Sequence, residues 1–196
     1  MLLLSPAFAA PPGDPVAGKD KADAERCLEC HGVAGEGQGF SNGTEGKFAR
    51  LGGQHPDYII KQVQDFRSGR RKNDFMKMIA SGISDADLAD IAAYFAAQPA
   101  MPAGAAPKND AAHRLYVNGD PARKLPACAG CHGEGGKGTA GVGPVIGGQG
   151  LRYLEQQLQD WRNGSRSNSA GGIMNQLTAP LTDAEIEALA RYVSEM

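Results

Sequence analysis

The sequence predicts an all-α protein made of two similar halves. The segment 52–73 matches the segment 147–168 without a gap, and 83–95 matches 181–193. In both copies, apolar residues recur at the spacing of one helical face, and no useful stretch shows the alternation of a strand. A chain of 196 residues can supply each half with its own core.

Three helices are expected in each half. The first runs from about residue 17 into a cysteine pair, and its counterpart covers about 110–118. The second carries one apolar face, formed by Ile59, Val63 and Phe66 and by Leu154, Leu158 and Trp161. The third begins with a capping sequence, and its apolar face comprises Leu88, Ile91, Ala92 and Phe95 in one copy and Ile186, Leu189, Ala190 and Val193 in the other.

Composition divides the chain further. Residues 1–12 resemble the end of a secretory signal peptide, with Ala7-Phe8-Ala9 as an A-x-A cleavage site, which predicts export. We expect one domain over 13–97, a Pro/Ala/Gly-rich linker over 98–108 and a second domain over 109–196.

A formal net charge of −2 argues against nucleic acid as a partner. No apolar run reaches the length of a membrane span.

All four cysteines belong to two copies of one motif, C-x-x-C-H. The copies comprise Cys27, Cys30 and His31 and Cys128, Cys131 and His132. This pattern attaches c-type haem: two thiols one helical turn apart bind the vinyl groups covalently, and the histidine ligates the iron. The alternatives are a zinc site, a redox-active thiol pair and disulfides. Zinc ribbons place their pairs closer together, and a thiol pair needs no adjacent histidine.

The repeat also selects a second axial ligand for each iron. After the second motif, Met174 is the remaining candidate, seven residues before Leu181 at the start of the third helix. Seven residues before the equivalent Ile83 stands Met76. Met76 and Met174 are therefore the predicted distal ligands. Because histidine and methionine would fill both axial positions, an electron carrier of fairly high potential is expected.

Other candidate ligands have weaker support. Met78 aligns with Gln176, which cannot replace a thioether, so a packing role is expected for it. His55 aligns with a glycine and is expected at the surface, His113 is expected to be solvated or packed, and Met101 falls in the linker.

Together these motifs resemble the dihaem cytochrome c4 family. The resemblance rests on two C-x-x-C-H motifs, two GGQ motifs, a Y-x-x-x-Q helix and a late methionine in each half, and on the segment KLPACAGCHGEGGKG; it covers about residue 15 to the end. It implies two tandem class I cytochrome c domains related by approximate two-fold symmetry. Each domain wraps around one covalently attached haem, with propionates near the domain interface.

The resemblance also implies a periplasmic carrier, soluble or loosely membrane-associated. Its partners would be a terminal oxidase, a dehydrogenase or a membrane cytochrome complex. The first alternative is the cytochrome subunit of a larger dehydrogenase, such as a sulfide-oxidising flavocytochrome. The second is an enzyme with an exchangeable haem ligand, such as a dihaem peroxidase or a thiosulfate dehydrogenase.

Three local expectations concern the surroundings of the haems. Class I domains commonly use a proline whose carbonyl orients the proximal histidine. Pro144 fits this role in the second half, but Ala49 takes its place in the first half. We therefore predict that the two haems differ in reduction potential. Arg71 or Arg166 is a candidate propionate contact. The paired glycines at 52–53 and 147–148 are expected to allow close approach to the porphyrin.

Overall fold

A computed structural model describes residues 13–37, 47–101 and 110–196. The predicted signal remnant, 1–12, and linker residues 102–108 lie outside these ranges. Within them the chain is helical and forms no strand, only the isolated bridges Asp120–Leu125 and Thr139–Gly143. None of the helices in these ranges is long and apolar enough to cross a membrane.

The helices of each half follow in the same order. The first half contains α1 (Pro15–Ala24), α2 (Cys27–His31), α3 (Pro56–Arg67), α4 (Asp74–Gly82) and α5 (Asp85–Ala96). The second half contains α6 (Ala111–Asn118), α7 (Ala129–His132), α8 (Leu151–Asn163), α9 (Ile173–Thr178) and α10 (Asp183–Ser194). Short 3₁₀ turns lie at Pro121–Arg123, Glu134–Gly136 and Ala170–Gly172.

Side-chain caps explain where several helices begin. Asp14, Asn73, Ser84 and Asp110 each accept a hydrogen bond from a first-turn amide of α1, α4, α5 and α6 respectively. Thr182 and Glu185 complete the capping box that the sequence predicts for α10. The start of the third helix in each half is therefore fixed by local chemistry.

The predicted apolar faces form two separate cores. In the first half α5 packs against α3 and α1, and in the second half α10 packs against α8 and α6. The four predicted positions on each third helix are all buried. On the second helices, Ile59, Phe66, Leu154 and Trp161 are buried, while Val63 and Leu158 are partly buried.

The structure departs from the predicted secondary structure in two places. The first helix does not continue into the haem motif, because Arg26 adopts a left-handed conformation (φ 60°) between α1 and α2. Each half also contains a separate helix, α4 or α9, around the candidate methionine.

The paired glycines make close backbone contacts within each half. A Cβ on Gly52 would lie 2.6 Å from the carbonyl oxygen of Ala34, and a Cβ on Gly147 would lie 2.2 Å from that of Gly135. These glycines therefore bring two backbone segments of the same half together, and the approach of the same segments to a porphyrin remains a prediction.

Two glutamines join the halves through equivalent contacts. The Gln54 side-chain amide donates to the carbonyl oxygen of Val145 (2.8 Å), and its Oε1 accepts from the Val145 amide (3.0 Å). Gln149 makes the same two bonds to the backbone of Arg50, at 3.0 and 2.7 Å. Because each partner is four residues before the other glutamine, the halves are related by approximate two-fold symmetry.

Candidate functional site

The two C-x-x-C-H motifs occupy α2 and α7. No disulfide joins any of the four cysteines. Burial raises the pKa of Cys27 to about 12 and that of Cys128 to about 11. A redox-active thiol pair has the opposite property, a leading cysteine of lowered pKa. The thiols therefore do not resemble a disulfide-exchange site.

Both motif histidines are held by a backbone carbonyl. The Nδ1 of His31 lies 2.8 Å from the carbonyl oxygen of Ala49, and the Nδ1 of His132 lies 3.0 Å from that of Pro144. A carbonyl can only accept, so Nδ1 carries the proton and donates, which leaves the Nε2 lone pair free for a metal. The carbonyl is therefore in place in both halves, with or without proline.

Desolvation keeps these imidazoles neutral. Burial lowers the pKa of His31, against the hydrogen bond to Ala49, and the charge of Arg71 lowers it further. Burial likewise lowers the pKa of His132, against the hydrogen bond to Pro144. A neutral imidazole is the form that binds a metal.

A zinc site has no support in the described ranges. No group of three or more histidine, cysteine, aspartate or glutamate side chains there is arranged to hold an ion. A structural zinc site needs four such ligands. The two motifs, on α2 and α7, therefore do not combine into one metal site among the described residues.

The candidate methionine of the first half is the third residue of α4. Met76 is half-buried, whereas Met78 is 59% exposed. Asn73 caps the helix by accepting from the Met76 amide at 2.9 Å, which fixes the backbone at this residue. Of the two methionines, Met76 is thus the more buried.

The second half presents Met174 in a different local structure. Three more residues separate asparagine from methionine here than in the first half, and they allow a 3₁₀ turn at Ala170–Gly172 before α9 begins. Gly171 and Gly172 both have positive φ. The Met174 amide donates to Ser169 Oγ at 3.1 Å, and the side chain is half-buried. Two different caps therefore present the two methionines.

The minor candidates are all at least partly buried. His113 lies edge-on to Tyr192, with ring centroids 5.7 Å apart, consistent with a packed role. Met101 is buried, 3.6 Å from the side-chain nitrogen of Gln149. His55, expected at the surface, is half-buried at the start of α3, and its Nε2 is fully covered without a hydrogen bond, against Gly138 of the other half.

Arg71 and Arg166, the two candidate propionate contacts, lie in a polar cluster between α3 and α8 whose other members were not predicted, and we call this cluster the arginine centre. It consists of Arg71 and Arg166 with Tyr58, Gln62, Tyr153 and Gln157. Each arginine reaches a tyrosine of the opposite half, at 2.8 Å for Arg71 and 3.1 Å for Arg166. The sequence contained a signal for this cluster, because the repeat places tyrosine, glutamine and arginine at equivalent positions in both halves.

The two sites fit c-type haem by their donor chemistry. Each half supplies two thiols on one turn, a neutral imidazole whose Nε2 is free, and a half-buried thioether. Between the halves stand two buried guanidinium groups, which suit the carboxylates of a haem.

Comparison with known proteins agrees with this assignment. The cytochrome c family profile matches residues 15–98 and 112–196. The chain is 39% identical over 184 residues to cytochrome c4 of Thiocapsa roseopersicina, covering 92% of both chains. It is 35% identical to the thiosulfate dehydrogenase electron acceptor of Stutzerimonas stutzeri strain A1501, covering 88% of this chain and 80% of the relative.

A solved structure shows the same arrangement of two domains. Reduced recombinant cytochrome c4 from Pseudomonas stutzeri superposes with a TM-score of 0.82 at 36% identity, over 94% of this chain and 99% of that one. The similarity therefore extends over both halves and their relative placement.

Proposed function

Because the chain belongs to the cytochrome c4 family of dihaem electron carriers, with two covalently bound haem c groups, we propose that it carries electrons between respiratory partners in the periplasm. The observation that supports this best is the duplicated imidazole–carbonyl pair, at 2.8 and 3.0 Å. Two histidines whose Nε2 is free to bind iron, one in each half, suit a protein that accepts an electron in one domain and passes it on through the other. A terminal oxidase or another periplasmic redox enzyme is the proposed acceptor.

We assign the residues of the two sites as follows. Thioether attachment is assigned to Cys27, Cys30, Cys128 and Cys131, proximal ligation to His31 and His132, and distal ligation to Met76 and Met174. The bound iron would supply the one-electron chemistry. The protein holds each imidazole in one tautomer and orientation, and Met76 and Met174 would hold the iron from a second side and so keep a substrate from it.

Replacing the two methionines of α4 separately tests this assignment. Met76→Ala should convert one of the two haems from a low-spin to a high-spin ferric spectrum, because it loses its distal ligand. Met78→Ala should leave both low-spin, because that side chain is 59% exposed. Met174→Ala and Gln176→Ala form the matched pair in the other half. Loss of low-spin character in Met78→Ala but not in Met76→Ala would reverse the assignment.

Export is part of the proposal. The A-x-A sequence at Ala7–Ala9 predicts cleavage immediately after Ala9. Sequencing the N-terminus of protein recovered from the periplasm should give a chain that begins at Ala10. Recovery of haem-loaded protein in the cytoplasmic fraction alone would contradict export.

A second candidate is a dedicated electron acceptor within a dehydrogenase system. The relatives named thiosulfate dehydrogenase electron acceptors favour it. The test mixes the purified protein with a thiosulfate dehydrogenase and thiosulfate and follows haem reduction. Fast reduction in a stable, co-sedimenting complex would favour the dedicated role over the general carrier. A flavoprotein that co-purifies would instead indicate a flavocytochrome subunit.

An enzymatic role requires a haem whose distal ligand can be exchanged. Ferric spectra that do not change on addition of cyanide or hydrogen peroxide are expected for the carrier. A rapid change at either haem would favour an enzyme.

A further inference from the structure

The arginine centre buries two positive charges with no carboxylate of the described residues at ion-pair distance; the charge of Asp160 acts on Arg71 from further away. Arg71 is 9% exposed and Arg166 is 5% exposed. In the described part of the chain neither forms an ion pair, whereas Arg67, Arg123 and Arg162 each pair with an acidic side chain. A buried charge normally requires such a partner, because desolvation is costly.

Neutral groups take the place of the missing partners. Gln62 Oε1 accepts from Arg71 Nη1 at 2.9 Å and from Arg166 Nη2 at 3.0 Å. Gln157 Oε1 accepts from the same two arginines, at 2.7 and 2.8 Å. Two amide oxygens thus bridge two guanidinium groups, which brings like charges close together in a buried place.

The cluster contains more donors than acceptors. In their hydrogen bonds to the arginines, the hydroxyl oxygens of Tyr58 and Tyr153 both accept. Their own O–H groups have no acceptor among the described residues. Burial would raise the pKa of Tyr153, but the charges of Arg71 and Arg166 outweigh it and lower that pKa. The place is therefore strongly positive and suited to an anion with several acceptor oxygens.

The centre lies beside both candidate haem sites. Arg71 is five residues before Met76, and its guanidinium packs on the Phe66 ring, 4.6 Å from the centroid. The carbonyl oxygen of Arg166 accepts from the side chain of Asn175, next to Met174, at 2.8 Å. A haem carries two carboxylates, so the bound cofactors would themselves bring the missing negative charge.

We infer that Arg71 and Arg166 form one shared anion-binding centre for carboxylates of both haems, so that the potential of each haem depends on an arginine of the other domain. This inference rests on the proposed function. It follows from the crossed contacts, since Arg71 hydrogen-bonds to Tyr153 and Arg166 to Tyr58. Both are positioning residues that act on the haems through charge.

The experiment is a redox titration of the haem-loaded protein, fitted with two midpoint potentials. Arg71→Gln and Arg166→Gln should each lower both potentials, because losing a buried positive charge favours the oxidised state. The expected size is about a tenfold fall in each reduction equilibrium constant, which is about 59 mV for one electron. The control Arg191→Gln removes a charge from a side chain that is 57% exposed, and it should change neither potential by more than about twofold in that constant.

Three results would overturn the inference. A change in only one potential would mean that each arginine serves only one haem. Unchanged potentials in both glutamine variants would mean that the centre only joins the domains. If the glutamine variants do not load haem, Arg71→Lys and Arg166→Lys decide, since they keep the charge. Both potentials should then stay within about threefold in the equilibrium constant, and a larger fall would reject charge as the cause. Wild-type protein without haem would instead reject the proposed function.

Discussion

The two domains repeat several contacts where they meet, although those of His55 and Asn168 are one-sided, and they differ on the sides that face away from each other. At the interface, the bonds of Gln54 are repeated by Gln149, and the bonds of Arg71 by Arg166. On the outer side of the first domain, α1 packs so closely on α5 that a Cβ on Gly18 would lie 2.0 Å from a carbonyl oxygen. In the second domain, the corresponding helix α6 is shorter and makes a looser contact with α10.

Different chemistry stabilises the two outer sides. In the first domain Lys21 of α1 bridges Asp87 and Asp90 of α5, with distances of 2.7 and 2.5 Å. In the second domain Arg123, from a 3₁₀ turn, binds Glu185 at 2.7 Å. The glutamine and arginine contacts that recur in both copies constrain their inner surfaces. The outer helices α1 and α6 need only to cover the apolar cores beneath them, and different sequences can do this.

The largest effect is expected from filling the close contact in the first domain. Gly18→Ala would place a methyl group 2.0 Å from the carbonyl oxygen of Asp90, so α1 must move away from α5. Such overpacking typically costs about 1–3 kcal/mol of unfolding free energy. Denaturation followed by circular dichroism should show an earlier transition for this domain. Fluorescence of Trp161, the single tryptophan, reports the second domain and should change little.

A second glycine of the same domain provides the control. A Cβ on Gly82 would have its nearest contact at 3.8 Å, an ordinary van der Waals distance. Gly82→Ala should therefore change the unfolding free energy by less than about 1 kcal/mol. If Gly18→Ala were as mild as Gly82→Ala, the close contact between α1 and α5 would not be a source of stability.

A smaller effect, dependent on pH, is expected in the second domain. The hydrogen bond to Arg123, opposed by burial and supported by Thr182, lowers the pKa of Glu185 from 4.5 to about 2. Because the folded pKa is the lower one, the carboxylate stabilises the domain above about pH 4.5, and this stabilisation is lost as the pH falls towards 2. Glu185→Gln retains the capping box but removes the charge.

We expect Glu185→Gln to lower the unfolding free energy at pH 7 by about 1 kcal/mol. The deficit should shrink as the pH falls below 4.5. Denaturation followed by Trp161 fluorescence at several pH values measures both effects. The control Glu187→Gln removes the charge of a side chain that is 66% exposed and should leave the unfolding free energy nearly unchanged. A deficit that persists at pH 2 would show that the charge is not the cause.

Much of this architecture could be predicted because the repeat acts as an internal comparison. The gapless match of 52–73 with 147–168 and the heptad-like apolar spacing identified the buried faces of α3, α5, α8 and α10. The tandem cytochrome c fold and the two haem groups are confirmed. The choice of Met76 over Met78 as ligand remains a prediction, which the burial of the two side chains favours.

The remainder depends on contacts between segments that are distant in sequence. The arginine centre joins residues about a hundred positions apart, and no local pattern reports which polar side chains will be buried together. The burial of His55 Nε2 was not predicted for the same reason, since the surface that covers this atom belongs to the other half. The break at Arg26 was missed because a non-glycine residue with positive φ leaves no mark in a helical pattern.

The smallest effect on stability is expected where Pro144 of the second domain stands in place of Ala49 of the first. Pro144 and Ala49 present their carbonyl oxygens to the motif histidines at 3.0 and 2.8 Å, so the hydrogen bond does not need the proline. Pro144→Ala should therefore keep both haems low-spin and lower the unfolding free energy of the second domain by only about 0.4–1 kcal/mol, through the greater freedom of the unfolded chain. Trp161 fluorescence measures the stability, and a redox titration tests whether the predicted difference between the two potentials survives. If the two potentials became equal in the variant, the pyrrolidine ring of Pro144 would be the source of their difference. If the potentials still differed, the cause would lie in the distal segments, where Asn73 and Ser169 accept from the amides of Met76 and Met174 in different local structures.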